Sequence, residues 1–163
     1  MQTVVIYDSK FGNTENIAEA IGRGIGSISE VRVTSTAEAA NVLESLASRP
    51  DLVLVGGPTQ NHGPSAGLRR FLEDLPDALR GVPTACFDTR YRGPVLLMGS
   101  ASAAAAKALA KAGAKIVAPP ESFFIVRHGA MPQQTLEPGE LTRAEAWGQA
   151  VATAAAGAVV AHR

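Results

Sequence analysis

Short apolar runs alternate with amphipathic stretches along the chain. Thr3-Val4-Val5-Ile6-Tyr7 is apolar and β-branched, the pattern of a strand buried on both faces. A polar loop, Asp8-Ser9-Lys10-Phe11-Gly12-Asn13-Thr14, leads into a helix with Ile17, Ile21 and Ile25 on one face. Residues 31–33 form a weaker second strand. Ser35 and Glu38 have the spacing of a capping box, which predicts a helix to about Leu46, closed by Pro50. Residues 51–55 are the clearest buried strand, and the stretch Gly56-Gly57-Pro58-Thr59-Gln60-Asn61-His62-Gly63 after it reads as a loop. Leu68, Phe71, Leu72 and Leu75 then mark one face of a third helix.

The second half repeats the theme less cleanly. Residues 82–87 read as a strand, residues 88–94 as a loop, and residues 95–98 fit no single period. Ser100 or Ser102 caps an Ala-rich helix that ends near Gly113. Residues 115–118 and 122–126 predict a fifth strand broken by Pro119 and Pro120, followed by a long loop. Thr142 and Glu145 make another capping box, and Ala144, Trp147, Val151 and Ala155 form the buried stripe of the last helix. Five strands alternating with five helices predict an α/β protein, with a parallel sheet covered by helices on both faces. With no linker or fixed-period repeat, one domain over residues 1–163 is expected.

Composition narrows the function. Lys plus Arg equals Asp plus Glu at 15 each, which gives no reason to expect nucleic acid as a partner. A single cysteine rules out an internal disulfide, and a reducing cytoplasm is the expected setting. The chain runs directly into a strand without the pattern of a signal peptide, and no apolar run is long enough to insert in a membrane.

Open parallel sheets bind ligands beyond the carboxyl ends of their strands, where strand order reverses. The loops after the first, third and fourth strands therefore carry the candidate chemistry. The first joins a buried strand to a helix N-terminus, which offers unpaired N–H groups and the positive end of a dipole. Ser9, Asn13 and Thr14 add side-chain donors, and Gly12 lets backbone approach an anion. The loop suits a terminal phosphate, or is a plain strand-to-helix turn with Asn13 as its cap.

Ser9, Gly12 and Thr14 match the S/T-x-T-G-x-T phosphate loop of flavodoxins, with Phe11 in place of the middle hydroxyl. Gly57-Pro58-Thr59 through Gly63, followed by Phe71-Leu72, is similar to the G-x-P-T…G…F-L pattern of flavodoxins and related quinone-reducing flavoproteins. The sequence thus resembles the flavodoxin family over nearly its whole length. The resemblance implies a three-layer sandwich with strand order 2-1-3-4-5 and FMN as cofactor. It implies that Ser9, Lys10, Phe11, Gly12, Asn13 and Thr14 wrap the FMN phosphate. Pro58, Thr59, Gln60, Asn61, His62 and Gly63 would line one side of the isoalloxazine ring. Asp88, Thr89, Arg90, Tyr91 and Gly93 would meet its other side and pyrimidine edge, with Tyr91 stacked on the ring. His62 is equally readable as a solvated loop residue, and Tyr91 as a surface residue between two solvated arginines.

The expected function is flavin-based electron transfer, with no catalytic acid, base or metal of its own. Its partner would be a redox protein or a small-molecule electron acceptor, and the chain a monomer or weak dimer. Two alternatives stay open: an FMN-dependent NAD(P)H:quinone-type oxidoreductase, and a flavin-free binding module, which Phe11 favours. Gly22, Gly24 and Gly26 mimic a dinucleotide fingerprint but lie in a helix rather than between strand and helix. Cys86 reads as a buried, inert thiol, and His62, His128 and His162 lack metal-ligand spacing.

Overall fold

The computed structural model describes residues 1–129 and 133–161. Strand β1 (Gln2–Tyr7) sits inside a parallel sheet between β2 (Glu30–Ser35) and β3 (Leu52–Gln60). Beyond β3 comes β5 (Pro83–Tyr91), which pairs with both β6 (Lys115–Ile116) and β7 (Glu121–Arg127). β6 and β7 are the two halves of the expected fifth strand. They are separated at Pro119 and Pro120, which have no N–H to offer a ladder. The parallel part thus runs in the expected order, 2-1-3-4-5 when the broken strand counts once.

Four strands differ from expectation. β3 and β5 continue to Gln60 and Tyr91, so stretches expected as loops are strand ends. After β3 the chain folds back as a hairpin through β4 (Gly63–Pro64). In the expected long loop, β8 (Gln134–Leu136) adds an antiparallel strand to the outer edge of β7. The period-2 signal is too short to show in β8, and β4 is only two residues long.

Helices α1 (Asn13–Ile25), α2 (Ala39–Glu44), α3 (Ala66–Glu73), α5 (Ala101–Lys111) and α6 (Glu140–Ala161) cover the sheet. A single turn, α4 (Val95–Met98), fills the ambiguous segment. Ser100 caps α5 by accepting the Ala103 N–H at 3.1 Å. The other two capping boxes fail. Ser35 stays in β2, and α2 starts after Glu38 with no side-chain cap. α6 starts at Glu140 instead of after Thr142, because the Glu140 carboxylate has another task described below.

Side-chain alternation sorts the core into two layers. Val4, Ile6, Val53, Val55 and Cys86 face α2, α3 and α5, where Leu43, Leu68, Phe71 and Leu109 meet them. Val5, Leu52, Leu54, Ala85 and Phe87 face α1 and α6, where Ile17, Ile21, Ile25 and Val151 meet them. Phe87, Phe123 and Trp147 form a mutual edge-to-face trio with centroids 6.0–6.5 Å apart.

The helical glycines serve packing, not a nucleotide. A Cβ on Gly24 would overlap the Glu145 carbonyl, and one on Gly148 would lie 2.6 Å from the Ile21 carbonyl. α1 and α6 therefore touch backbone to backbone. α6 is also held by Glu140, whose Oε2 accepts the Phe124 N–H at 2.7 Å. Arg143 binds Glu140 at 2.6 Å and Glu121 at 3.1 Å, and donates to the Ser122 carbonyl. Burial by itself would raise the Glu140 carboxyl. The bonds from Arg143 and Phe124 outweigh it and hold the group below the usual carboxylate range.

Gly24→Ala should cost about 1–3 kcal/mol by forcing the two helices apart, read as a lower midpoint in urea. Glu140 has a folded-state pKa below its unfolded value. Its charge-dependent stabilisation is therefore complete above roughly pH 4.3 and fades as pH falls through the lowered folded value. The thermal midpoint of Glu140→Gln should accordingly lie below that of the native protein at pH 7, with the gap closing toward pH 3.

Candidate functional site

The parallel strands all end at one edge of the sheet, and the loop after β1 opens there. The Asp8 N–H still donates to the Gly56 carbonyl at 3.0 Å, and its carboxylate accepts from the Ser65 hydroxyl that caps α3. The chain then turns through Gly12 at φ 87°, a conformation that glycine adopts without strain. The Gly12 N–H donates to Ser9 Oγ at 3.1 Å, and the Gly12 carbonyl accepts the first helical bond, from Asn16. The N–H groups of Lys10, Phe11, Asn13, Thr14 and Glu15 have no acceptor among the described residues. A curl of unpaired donors at the positive end of a 13-residue helix is an anion-binding geometry.

The side chains of this loop behave differently from expectation. Asn13 Nδ2 donates to the Gln134 carbonyl at 2.9 Å, tying the helix start to β8. Thr14 is buried and shares a 2.8 Å bond with the Thr89 hydroxyl. Two of the three expected side-chain donors thus have partners within the protein. Phe11 is 60 % exposed, with Lys10 Nζ 5.3 Å from its ring centre, and it borders the loop's cavity rather than being buried in the loop.

Two adjoining cavities run from this loop along the strand ends. The first, about 70 Å³, is lined by Ser9, Lys10, Phe11, Asn13 and Thr14 on one side and Pro58, Thr59, Gln60, Thr89 and Tyr91 on the other. The second, about 400 Å³, shares Thr59, Gln60 and Tyr91 and adds Asn61, His62, Arg90 and Met98. All three predicted loops therefore meet in one groove. Gln134 lines both cavities, Ile125 the first and Met98 the second. None of these three was expected: β8 and α4 carry no motif, and Ile125 reads only as a buried position of the fifth strand.

Asn61 and His62 form the two-residue turn between β3 and β4, at φ 47° and 66°. A hairpin turn with two positive φ values matches strand twist but suits Asn-Gly better than Asn-His. The turn is braced from behind, since a Cβ on Gly99 would overlap the His62 carbonyl.

Asp88, Gly63 and Gly93 do not line the groove. Because β5 extends to Tyr91, Asp88 and Thr89 point to opposite faces, Thr89 toward α1 and Asp88 toward α5. Asp88 is fully buried. Its Oδ2 accepts from Ser100 Oγ, Ser102 Oγ and the Ser102 N–H at 2.7–2.9 Å and from Thr59 Oγ1 at 3.3 Å. It is a bracket joining the groove floor to the start of α5. Gly63 pairs with Gln60 in the hairpin, and the Gly93 carbonyl accepts from Arg90 Nη1 at 3.0 Å.

The two arginines near Tyr91 both have partners within the protein, Arg90 buried and Arg92 exposed. Arg90 is buried and donates through Nε to Ser122 Oγ at 2.9 Å. Arg92 pairs with Glu137 at 2.9 Å and lies 4.1 Å from the Phe124 ring centre. Tyr91 itself is half-buried, and its hydroxyl is enclosed without a hydrogen-bond partner among the described residues. Gly56 and Gly57 pack the core, because Cβ atoms there would strike the Phe87 ring and Leu68.

Tyr7 donates to Glu15 at 2.8 Å, and burial together with that bond pushes its pKa up to about 12. Burial likewise pushes the Cys86 thiol up to about 12, which keeps it protonated and inert as expected. Among the described residues no group of three His, Cys, Asp or Glu side chains is arranged to hold a metal, and no helix is long and apolar enough to cross a membrane. His62→Gly should stabilise the protein by about 0.5–1 kcal/mol by relieving the positive φ, raising the thermal midpoint.

A model of the flavodoxin family matches residues 5–147. No curated protein matches the sequence. Among solved structures, the chain is similar to a flavodoxin from the domain Archaea, at 22 % identity and a TM-score of 0.74, covering 96 % of this chain and 99 % of that one. It is similar to Flavodoxin 1 from Bacillus cereus, at 22 % identity and a TM-score of 0.71, covering 94 % and 97 %. It also resembles rubredoxin oxygen:oxidoreductase from Desulfovibrio gigas, at 16 % identity and a TM-score of 0.73, over 96 % of this chain but 36 % of that one. The family match spans most of the sequence and the sheet follows the same plan, so the chain belongs to the flavodoxin family.

Proposed function

We propose that the groove holds FMN, with the phosphate at residues 9–14 and the ring between residues 58–62 and 89–91, and that the protein is an electron carrier. Family membership implies FMN as the cofactor. The observation that carries the placement is the row of unpaired N–H groups at Lys10, Phe11, Asn13, Thr14 and Glu15. A terminal phosphate ester is the part of FMN that such a row suits. At the other end, the partnerless Tyr91 hydroxyl offers a buried donor, and an unmet buried donor costs free energy until something accepts from it.

When bound, FMN supplies reversible electron transfer, which the side chains of this protein cannot perform themselves. The protein's part is to bind, orient and exclude water. The N–H row, the α1 dipole and the Ser9 hydroxyl take the phosphate. Because Asn13 and Thr14 are committed to Gln134 and Thr89, they set the shape of the loop rather than touch the anion. Thr59 is held by Asp88 and by the Ala101 N–H at 2.9 Å, so the wall it forms is fixed before a ligand arrives. Tyr91 emerges from a strand, and its hydroxyl rather than its ring face is the group left without a partner. Phe11, which favoured a flavin-free module, is mostly exposed and borders the cavity at the loop.

Titration of FMN should quench flavin fluorescence to a saturable end point. The absence of any quenching defeats the proposal. Tyr91→Phe should weaken FMN binding about 5-fold, the equivalent of one hydrogen bond worth about 1 kcal/mol. The same change should leave the flavin-free protein as stable as before or slightly more so, because it removes an unsatisfied hydroxyl.

A further inference from the structure

Beside the groove the protein exposes apolar side chains that its own packing does not use. On α4, Leu96 is 96 % exposed, Leu97 67 % and Val95 49 %, and Phe11 stands 60 % exposed at the other end of the groove. The turn that carries them is firmly anchored. Met98 lines the second cavity, and a Cβ on Gly93 would lie 2.7 Å from the Met98 side chain. The Leu97 and Met98 N–H groups close on the Pro94 carbonyl at 2.9 Å. A rigid turn with one residue facing the groove and three facing solvent presents a knob, and contiguous exposed apolar surface marks interaction sites.

Among the described residues, the charged side chains that line the two cavities, Lys10 and Arg90, are both cationic. Neither cavity wall carries an Asp or Glu side chain. Lys10 is exposed at one end, and Arg127 is exposed with its guanidinium 5.9 Å from the Tyr91 ring centre. Arg92 is exposed as well, with its charge offset by Glu137. A chain with equal numbers of acids and bases thus turns an apolar surface edged by cations toward whatever meets the groove.

We propose that α4, Phe11 and this cationic edge form the docking face for an electron-transfer protein whose own contact surface is apolar and ringed by carboxylates. The inference rests on the proposed FMN-carrier function and adds to it the chemistry of the partner. The apolar knob supplies short-range contact, and the cations steer encounter.

The test uses FMN-loaded protein, its flavin content read by visible absorbance, reduced with dithionite and mixed in stopped flow with two acceptors. One is an acidic plastocyanin and the other a basic cytochrome c. In each case one electron leaves the reduced protein and converts Cu(II) to Cu(I) or Fe(III) to Fe(II). The plastocyanin rate should fall about 10-fold between roughly 20 and 500 mM salt, while the cytochrome c rate should not fall. Leu96→Ser with Leu97→Ser should lower the plastocyanin rate about 10-fold at every salt concentration. Arg127→Glu should lower it about 5-fold at low salt only. A plastocyanin rate that ignores both salt and the leucine pair, in protein that retains its flavin, overturns the docking face and leaves the FMN reading standing. Failure to take up FMN at all overturns both.

Discussion

The structure depends on the burial of both faces of a parallel sheet. β1, β3 and β5 are apolar on both sides, so helices must cover both, and each crossover returns the chain to the same end of the sheet. The parallel strands therefore deliver their C-termini to one edge. The start of α1, the β3–β4 turn and the end of β5 are brought together there by strand direction, and the Thr14–Thr89 bond ties two of them. The groove is a product of strand direction, and its polar lining is the part that sequence was free to vary.

Beneath the groove a second layer of polar bonds limits that freedom. Asp88 gathers Thr59, Ser100 and Ser102, while Thr14 and Thr89 bond to one another across the opposite face of β5. A buried carboxylate is tolerable only with several donors around it, and four reach one of its oxygens. Residues whose types suggest ligand contact thus serve as supports, and the groups left for a ligand are mostly backbone.

The five parallel positions and the cover of helices on both faces were legible because runs such as residues 51–55 and the stripe of Ile17, Ile21 and Ile25 carry strong periodicity, while strand order came from the resemblance to flavodoxins. Strand ends were not. Residues 56–60 and 88–91 are polar or glycine-rich, yet they stay in the sheet because neighbouring strands supply their hydrogen bonds. The capping boxes at Ser35 and Thr142 misled because tertiary bonds, such as Glu140 to Phe124, outbid local ones. The three loops of the site were visible as motifs, but the fate of each side chain was not. Asn13, Asp88 and Arg90 are spent on partners distant in sequence, which spacing does not reveal. The same holds for Gln134 and Met98, which reach the groove through β8 and α4.

The backbone contact between α1 and α6 has a consequence for the order of assembly. α1 follows the first strand, but the helix it abuts through Gly24 and Gly148 comes after every parallel strand. On a growing chain, the flank of α1 around Gly24 stays bare while the intervening sheet is made. So large a sequence separation makes this seam a late event in folding. In the finished protein α6 closes the layer that α1 leaves half covered, with Val151, Ala152 and Trp147 seated against the sheet, so the last element made completes the core rather than decorating it.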